Sequence, residues 1–179
     1  QAGTPYTVFT PYKNAWLREV SEYFLSSYAV RGGQGNLAPC PPWAQAGVPN
    51  LTAIGFGPSE ELALKLPSGT TGGRALWQDF AARIDTYDHA RNFPAVKGPS
   101  YLGVHLRFGT LSIRELARDA YERMQAGSPG AATWLSELIW RDFYQQLMAH
   151  FPHAMERSFK PAYDAIAWET GAQADALWT

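Results

Sequence analysis

Between Gly130 and Pro152 the chain contains neither glycine nor proline, and the stretch from about Ala131 to His150 reads as one long helix that Pro152 ends. Each helical residue turns by about 100°, so Trp134, Glu137 and Arg141 fall within a sector of about 60°, with Trp140 about 60° further round beside Glu137. One face presents two indoles, a carboxylate and a guanidinium, while Leu135, Leu138 and Ile139 point elsewhere and can anchor the helix in a core. Two readings stay open. Glu137 and Arg141 have the spacing of an ordinary helix pair, worth about 0.2–0.5 kcal/mol, and tryptophans commonly fill cores. The same four side chains could also serve a flat, polar ligand, by stacking on Trp and hydrogen bonding to Glu and Arg.

The rest of the chain divides by pattern. Tyr6–Thr10 is rich in β-branched and aromatic residues and predicts a strand that Pro11 ends. Tyr12–Leu25 then predicts a helix with Trp16, Val20, Tyr23 and Phe24 on one stripe. Residues 29–59 are dense in Pro and Gly and read as a linker. Helical patterns follow: a short one opened by Ser59-Glu60-Glu61-Leu62 and ended by Pro67, and a stronger one after Gly72-Gly73. In the stronger one Leu76, Phe80, Ile84 and Tyr87 form an amphipathic stripe, and Pro94 stops it by Phe93 at the latest. Ser112-Ile113-Arg114-Glu115 has the form of a capping box and opens a helix to Gln125, after which Gly127–Gly130 breaks the chain. A short helix is expected near Ala172–Trp178. The organisation is therefore a small α/β remnant, a linker and a mainly helical domain.

A hydrophobic content of 46% with 17% charged residues fits a folded globular chain rather than a disordered one. The 7 Trp, 9 Tyr and 9 Phe can fill a core or stack on flat ligands and bases. A formal net charge of −1 argues against a dedicated nucleic-acid binder, although a local basic groove can exist within a neutral total. The single cysteine, Cys40, excludes an internal disulfide, fits a reducing compartment and hence the cytoplasm, and has no His or Asp beside it that would make it a nucleophile. No apolar run reaches the roughly 18 residues of a membrane span, and no signal peptide is visible. Oligomeric state is not legible; a monomer is the default.

A second segment bears on chemistry. After Tyr87 a helix end runs into a loop containing Gly98, Ser100 and Gly103, whose amides and hydroxyl could cradle a phosphate, although such residues also simply make turns. Arg91 and Arg107 add positive charge. His89 and His105 lack metal-ligand spacing and are given structural or surface roles, so no metal is expected.

Taken together, these segments resemble the photolyase/cryptochrome family. The resemblance is carried by Trp134-Leu135-Ser136-Glu137-Leu138-Ile139-Trp140-Arg141-Asp142-Phe143-Tyr144, by Arg91-Asn92-Phe93-Pro94-Ala95, by His105-Leu106-Arg107-Phe108-Gly109-Thr110-Leu111-Ser112, and by Val8–Trp16, in the same order and at similar separation. It implies the first part of a mainly α, helical FAD-binding domain over 59–179, preceded by the end of an N-terminal α/β domain over 1–28 and an interdomain linker over 29–58. It also implies a light-driven enzyme that uses reduced FAD to split cyclobutane pyrimidine dimers in UV-damaged DNA, with the dimer flipped out of the duplex. By position, Tyr87, Ser100 and Leu102 match residues of the FAD phosphate and ribityl region, and Trp134 and Arg141 match residues lining the flavin cavity. Glu137 matches the carboxylate that hydrogen-bonds the dimer, Trp140 the indole that stacks on it, and Arg91 a DNA-contacting arginine. Trp168 matches the outermost tryptophan of the electron-transfer chain.

The chain also departs from the family pattern. Where the family loop reads Thr-Ser-x-Leu-Ser-Pro, this chain has Pro99-Ser100-Tyr101-Leu102-Gly103-Val104, without two of the hydroxyl donors. It stops before the Gly-x-Thr-Gly-Tyr-Pro segment and later helices, so this polypeptide alone is expected neither to bind FAD tightly nor to repair DNA. The antenna chromophore is not specified. A cryptochrome-type photoreceptor and a cofactor-free helical interaction module are the alternatives.

Overall fold

Helix is the only regular backbone among the described residues of the computed structural model, which are 3–26, 38–57 and 66–177. The expected helix at Ser59–Leu62 lies outside them, as do residues 29–37 and 58 of the linker and Trp178. None of the described helices is long and apolar enough to cross a membrane. The chain divides into two compact units, Ser21–Leu135 and a second made of Gln1–Val20 with Ser136–Thr179.

In the unit Ser21–Leu135, α2 (Glu22–Leu25) packs on α6 (Ile113–Gln125), and α3 (Gly69–Ala81) packs on α5 (Gly103–Phe108). The apolar stripe predicted from Leu76 to Tyr87 forms in three pieces rather than one: α3, a 3₁₀ turn at Ile84–Thr86, and α4 (Tyr87–Ala90). Phe80 and Ile84 are nonetheless both fully buried, joined in the core by Leu102, Leu116 and Leu135. Ser112 caps α6 as its sequence predicts, its Oγ accepting the Glu115 amide at 3.4 Å. Residues 38–57 carry two short 3₁₀ turns and are otherwise irregular, with Trp43 82% exposed.

The break predicted over Gly127–Gly130 is shorter than expected. Gly127, at φ +96°, ends α6, but α7 (Pro129–His150) starts with Pro129 and includes Gly130. Proline at a helix start loses no bond that the helix could have made, and the Ser128 hydroxyl accepts the Ala131 amide at 3.1 Å while donating to Asp85 at 2.5 Å. Gly130 is there for space: a Cβ would collide with the Ile84 carbonyl oxygen and lie 2.6 Å from the Asp85 carbonyl carbon. The residues of α7 through Leu135 belong to this unit and the remainder to the other.

In the other unit the strand expected at Tyr6–Thr10 does not form. Val8 is extended, but α1 (Phe9–Glu19) begins at the next residue. Pro11 falls in the first helical turn, where its missing N–H costs nothing, so a residue read as a strand terminator is a helix starter. The helix expected over Tyr12–Leu25 ends early, because Val20 turns extended (φ −61°, ψ 132°) before α2. Aromatic contacts dominate this unit. Phe143, 3% exposed, has the rings of Phe9, Tyr12, Trp140 and Tyr144 within 5.8 Å. The Tyr12 hydroxyl donates to Asp142 at 2.5 Å; burial first, and then that carboxylate, raise its pKa above the ordinary phenol value. A short helix, α8, spans Ala172–Asp175.

Candidate functional site

The residues singled out in the sequence fall into both units. Tyr87, Arg91, Ser100, Leu102 and Trp134 lie in Ser21–Leu135; Glu137, Trp140, Arg141 and Trp168 lie in the other.

Tyr87 opens α4, half-buried, with its ring edge-on to Phe80 at 5.6 Å. The Arg91 guanidinium sits 5.3 Å from the centre of the Tyr87 ring, a cation–π contact one helical turn further on. Trp134 is 3% exposed and meets Trp77 and Phe80, both at 5.2 Å. Phe80 is therefore the common neighbour of Tyr87 and Trp134, and it fixes both rings.

The loop after α4 is built against that helix. Gly98 is buried, and a Cβ on it would lie 2.6 Å from the Ala90 carbonyl carbon and 2.8 Å from the Arg91 nitrogen. Ser100 is half-buried, and its Oγ accepts the Leu102 amide at 3.4 Å. Leu102 is fully buried and immediately precedes α5. Between them Tyr101 has φ +58°, the only positive φ among the described non-glycine residues. Leu102 follows at φ −88°, ψ 0°. A left-handed residue followed by a right-handed one is the local geometry from which anion-binding backbone nests are made.

Sequence reasoning missed Arg83. Its Nη1 donates to the carbonyls of Lys97 and, at 2.8 Å, Gly98; its Nη2 donates to that of Pro99 at 2.8 Å. Asp79 binds the same guanidinium at 3.1 Å and the Lys97 ammonium at 2.8 Å. Those hydrogen bonds, Lys97 first and Arg83 second, lower the Asp79 carboxyl pKa. The available signal was the i,i+4 spacing of Asp79 and Arg83, which marks a helix pair and says nothing of the loop.

In the other unit, Glu137, Trp140 and Arg141 are half-buried on α7. The Trp140 ring is stacked on Phe9 at 3.6 Å, with 10° between the planes. Trp168 is 76% exposed, beyond a 3₁₀ turn at Pro161–Ala165. A cleft of about 620 Å³ lined by Tyr6, Tyr12, Trp16 and Glu19, among others, contains none of these residues. His105, 3% exposed, is bound through Nδ1 to the Thr110 hydroxyl at 2.7 Å, a structural placement; His89 stands exposed beside Asp88.

Residues 134–179 match the family described as the FAD binding domain of DNA photolyase. The chain is 34% identical to a deoxyribodipyrimidine photo-lyase of Escherichia coli over 97% of its length, which covers 36% of that relative. With the photo-lyase of Neurospora crassa the identity is 30% over 99% of the chain, covering 31% of the relative; for that of Synechococcus it is 28% over 99%, covering 38%. The chain thus spans about a third of the length of the curated relatives it matches.

Proposed function

Because this chain belongs to the DNA photolyase family, whose domain matched here takes FAD as cofactor, we propose that it serves the light-driven repair of cyclobutane pyrimidine dimers in DNA. The observation that carries this reading is the match of residues 134–179 to the FAD-binding domain, with the Glu137/Trp140 pair inside it. On the same reading, residues 1–28 close a preceding α/β domain, 29–58 form the linker and 59–179 begin the helical domain.

The donor set of the 97–102 loop supports the cofactor assignment. Ser100 offers a hydroxyl hydrogen, and the opposite-handed pair Tyr101–Leu102 has the local backbone geometry of an anion-binding nest, which suits a diphosphate. Tyr87, Ser100 and Leu102 would hold the phosphate and ribityl end, and Trp134 and Arg141 the flavin end. Bound and reduced, FAD supplies the electron that light mobilises. The chain's own task would be to present the damaged dinucleotide. Glu137 would hydrogen-bond the flipped pyrimidines, Trp140 would stack on them, and Arg91 would hold the DNA backbone. Trp168, exposed as it is, would pass electrons inwards from a reductant dissolved in the surrounding solution.

The test is binding and repair of an oligonucleotide carrying one thymine dimer, by the chain within its complete reading frame. Trp140→Ala is expected to weaken dimer binding by about 1–3 kcal/mol, the value of one aromatic–base stack. Glu137→Gln should reduce dimer splitting under blue light and leave affinity for undamaged duplex unchanged. Equal affinity of the unsubstituted protein for damaged and undamaged DNA would remove the repair assignment.

A further inference from the structure

The arrangement around Arg83 has no counterpart in the residues assigned so far. Its guanidinium collects the carbonyl oxygens of three successive residues, Lys97, Gly98 and Pro99. Three aligned carbonyl dipoles repel one another unless a cation joins them, and a planar fork with five donors is suited to that task. The side chain is itself held, by Asp79 through Nε at 3.3 Å and Nη2 at 3.1 Å, and by the Phe80 ring centred 5.1 Å from its Cζ. With 22% of its surface exposed, it is more a fixed post than a mobile surface arginine.

Immediately beyond the three carbonyls comes Tyr101 in the left-handed region. A side chain larger than glycine persists there only where its flanks over-determine it. One flank is Leu102, fully buried; the other is the segment that Arg83 grips. Gathering the carbonyls at one guanidinium also removes their negative ends from any anion that Ser100 and the neighbouring amides would meet.

We infer that Arg83 is a positioning residue, which keeps the 97–102 loop in the shape that receives the diphosphate of FAD. This rests on the FAD reading above and adds to it the element that pre-forms the phosphate loop. Arg83 acts through the backbone and needs no contact with the cofactor.

The experiment, on the chain within its complete reading frame, compares the unsubstituted protein with Arg83→Ala, Arg83→Lys and Ser100→Ala. It measures amide hydrogen exchange over residues 98–102 and, separately, FAD affinity by flavin fluorescence. Arg83→Ala is expected to speed exchange in the loop at least tenfold while the α6 amides keep their protection, and to weaken FAD by about tenfold. Millimolar guanidinium chloride, far below denaturing levels, should fill the vacated fork and reverse both effects in Arg83→Ala alone. If Arg83→Ala loses the α6 protection and so unfolds, Arg83→Lys decides. It keeps the charge but not the fork, and should show the same two changes at smaller size. Unchanged loop exchange in the folded variant overturns the inference. So does faster exchange with unaltered FAD affinity when Ser100→Ala weakens binding, an outcome that leaves the flavin reading intact. Absence of any FAD binding by the unsubstituted protein in its complete reading frame strikes the flavin reading instead, and the exchange and guanidinium arms still decide whether Arg83 holds the loop.

Discussion

Phe80→Ala is expected to destabilise the chain by about 3–5 kcal/mol, the usual range for removing a fully buried phenylalanine. Phe80 is 0% exposed and meets Trp77, Tyr87, Trp134 and the Arg83 guanidinium. No single neighbour can move into its place without releasing another, so the cavity would remain and the loss should fall in the upper part of that range. Urea unfolding followed by tryptophan fluorescence measures it, with Phe93→Ala as the comparison. Phe93 is 60% exposed, and its removal should stay within about 0.5 kcal/mol. Similar losses for the two would mean that Phe80 is not the centre of the Ser21–Leu135 core. Because Tyr87 and Trp134 both rest on Phe80, Phe80→Leu, which refills part of the volume, should recover most of the stability while still leaving the two rings less well fixed.

The second large effect is a gain. Gly103→Ser is expected to tighten FAD binding by about 1.5–3 kcal/mol, the value of one hydrogen bond to a charged group. It restores one of the two hydroxyls by which this loop differs from the family pattern. Gly103 opens α5, its φ lies outside the left-handed range, and a Cβ there meets nothing within 4 Å. The new side chain therefore fits without rearrangement, at a helix start where free amides already favour an anion. Titration with FAD reads the result. An affinity equal to that of the unsubstituted chain would mean that the phosphates lie elsewhere and that Ser100 has been given the wrong role. Pro99, where the other hydroxyl is missing, is less suited to a test, because replacing it also releases the fixed φ beside the carbonyl that Arg83 engages.

The sequence revealed most where a single physical rule acted alone. Ser112 and Glu115 announced the start of α6, and the spacing of Phe80 and Ile84 announced their burial, because capping and amphipathic period are local. It misled where a residue has two uses. Pro11 ends strands but also begins helices; Gly130 breaks helices but also lets a backbone pass beneath one. The strand expected at Tyr6–Thr10 failed for the same reason, since β-propensity describes fit to a sheet and the described residues offer none. For the candidate site, the placement of Trp134, Glu137, Trp140 and Arg141 on one helix was legible, and α7 carries all four. Their different burial was not, because it depends on partners far away in sequence: Trp77 and Phe80 beside Trp134, Phe9 beside Trp140. Arg83 was unreadable on the same grounds, its loop partners lying 14 to 16 positions ahead.

The paired glycines of α3 bear on the order in which the chain acquires its structure. A Cβ on Gly72 would collide with the Pro67 backbone, and one on Gly73 would come within 2.9 Å of the His105 ring and of Leu111. The close fit thus requires two residues that each weaken an isolated helix by about 1 kcal/mol relative to alanine. A free peptide spanning residues 69–90 should be largely coil by circular dichroism, and α3 should gain its helicity only together with the segment bearing His105 and Leu111. Nascent helicity during synthesis is then expected to appear first around α6, with α3 ordering only after His105 and Leu111 have emerged.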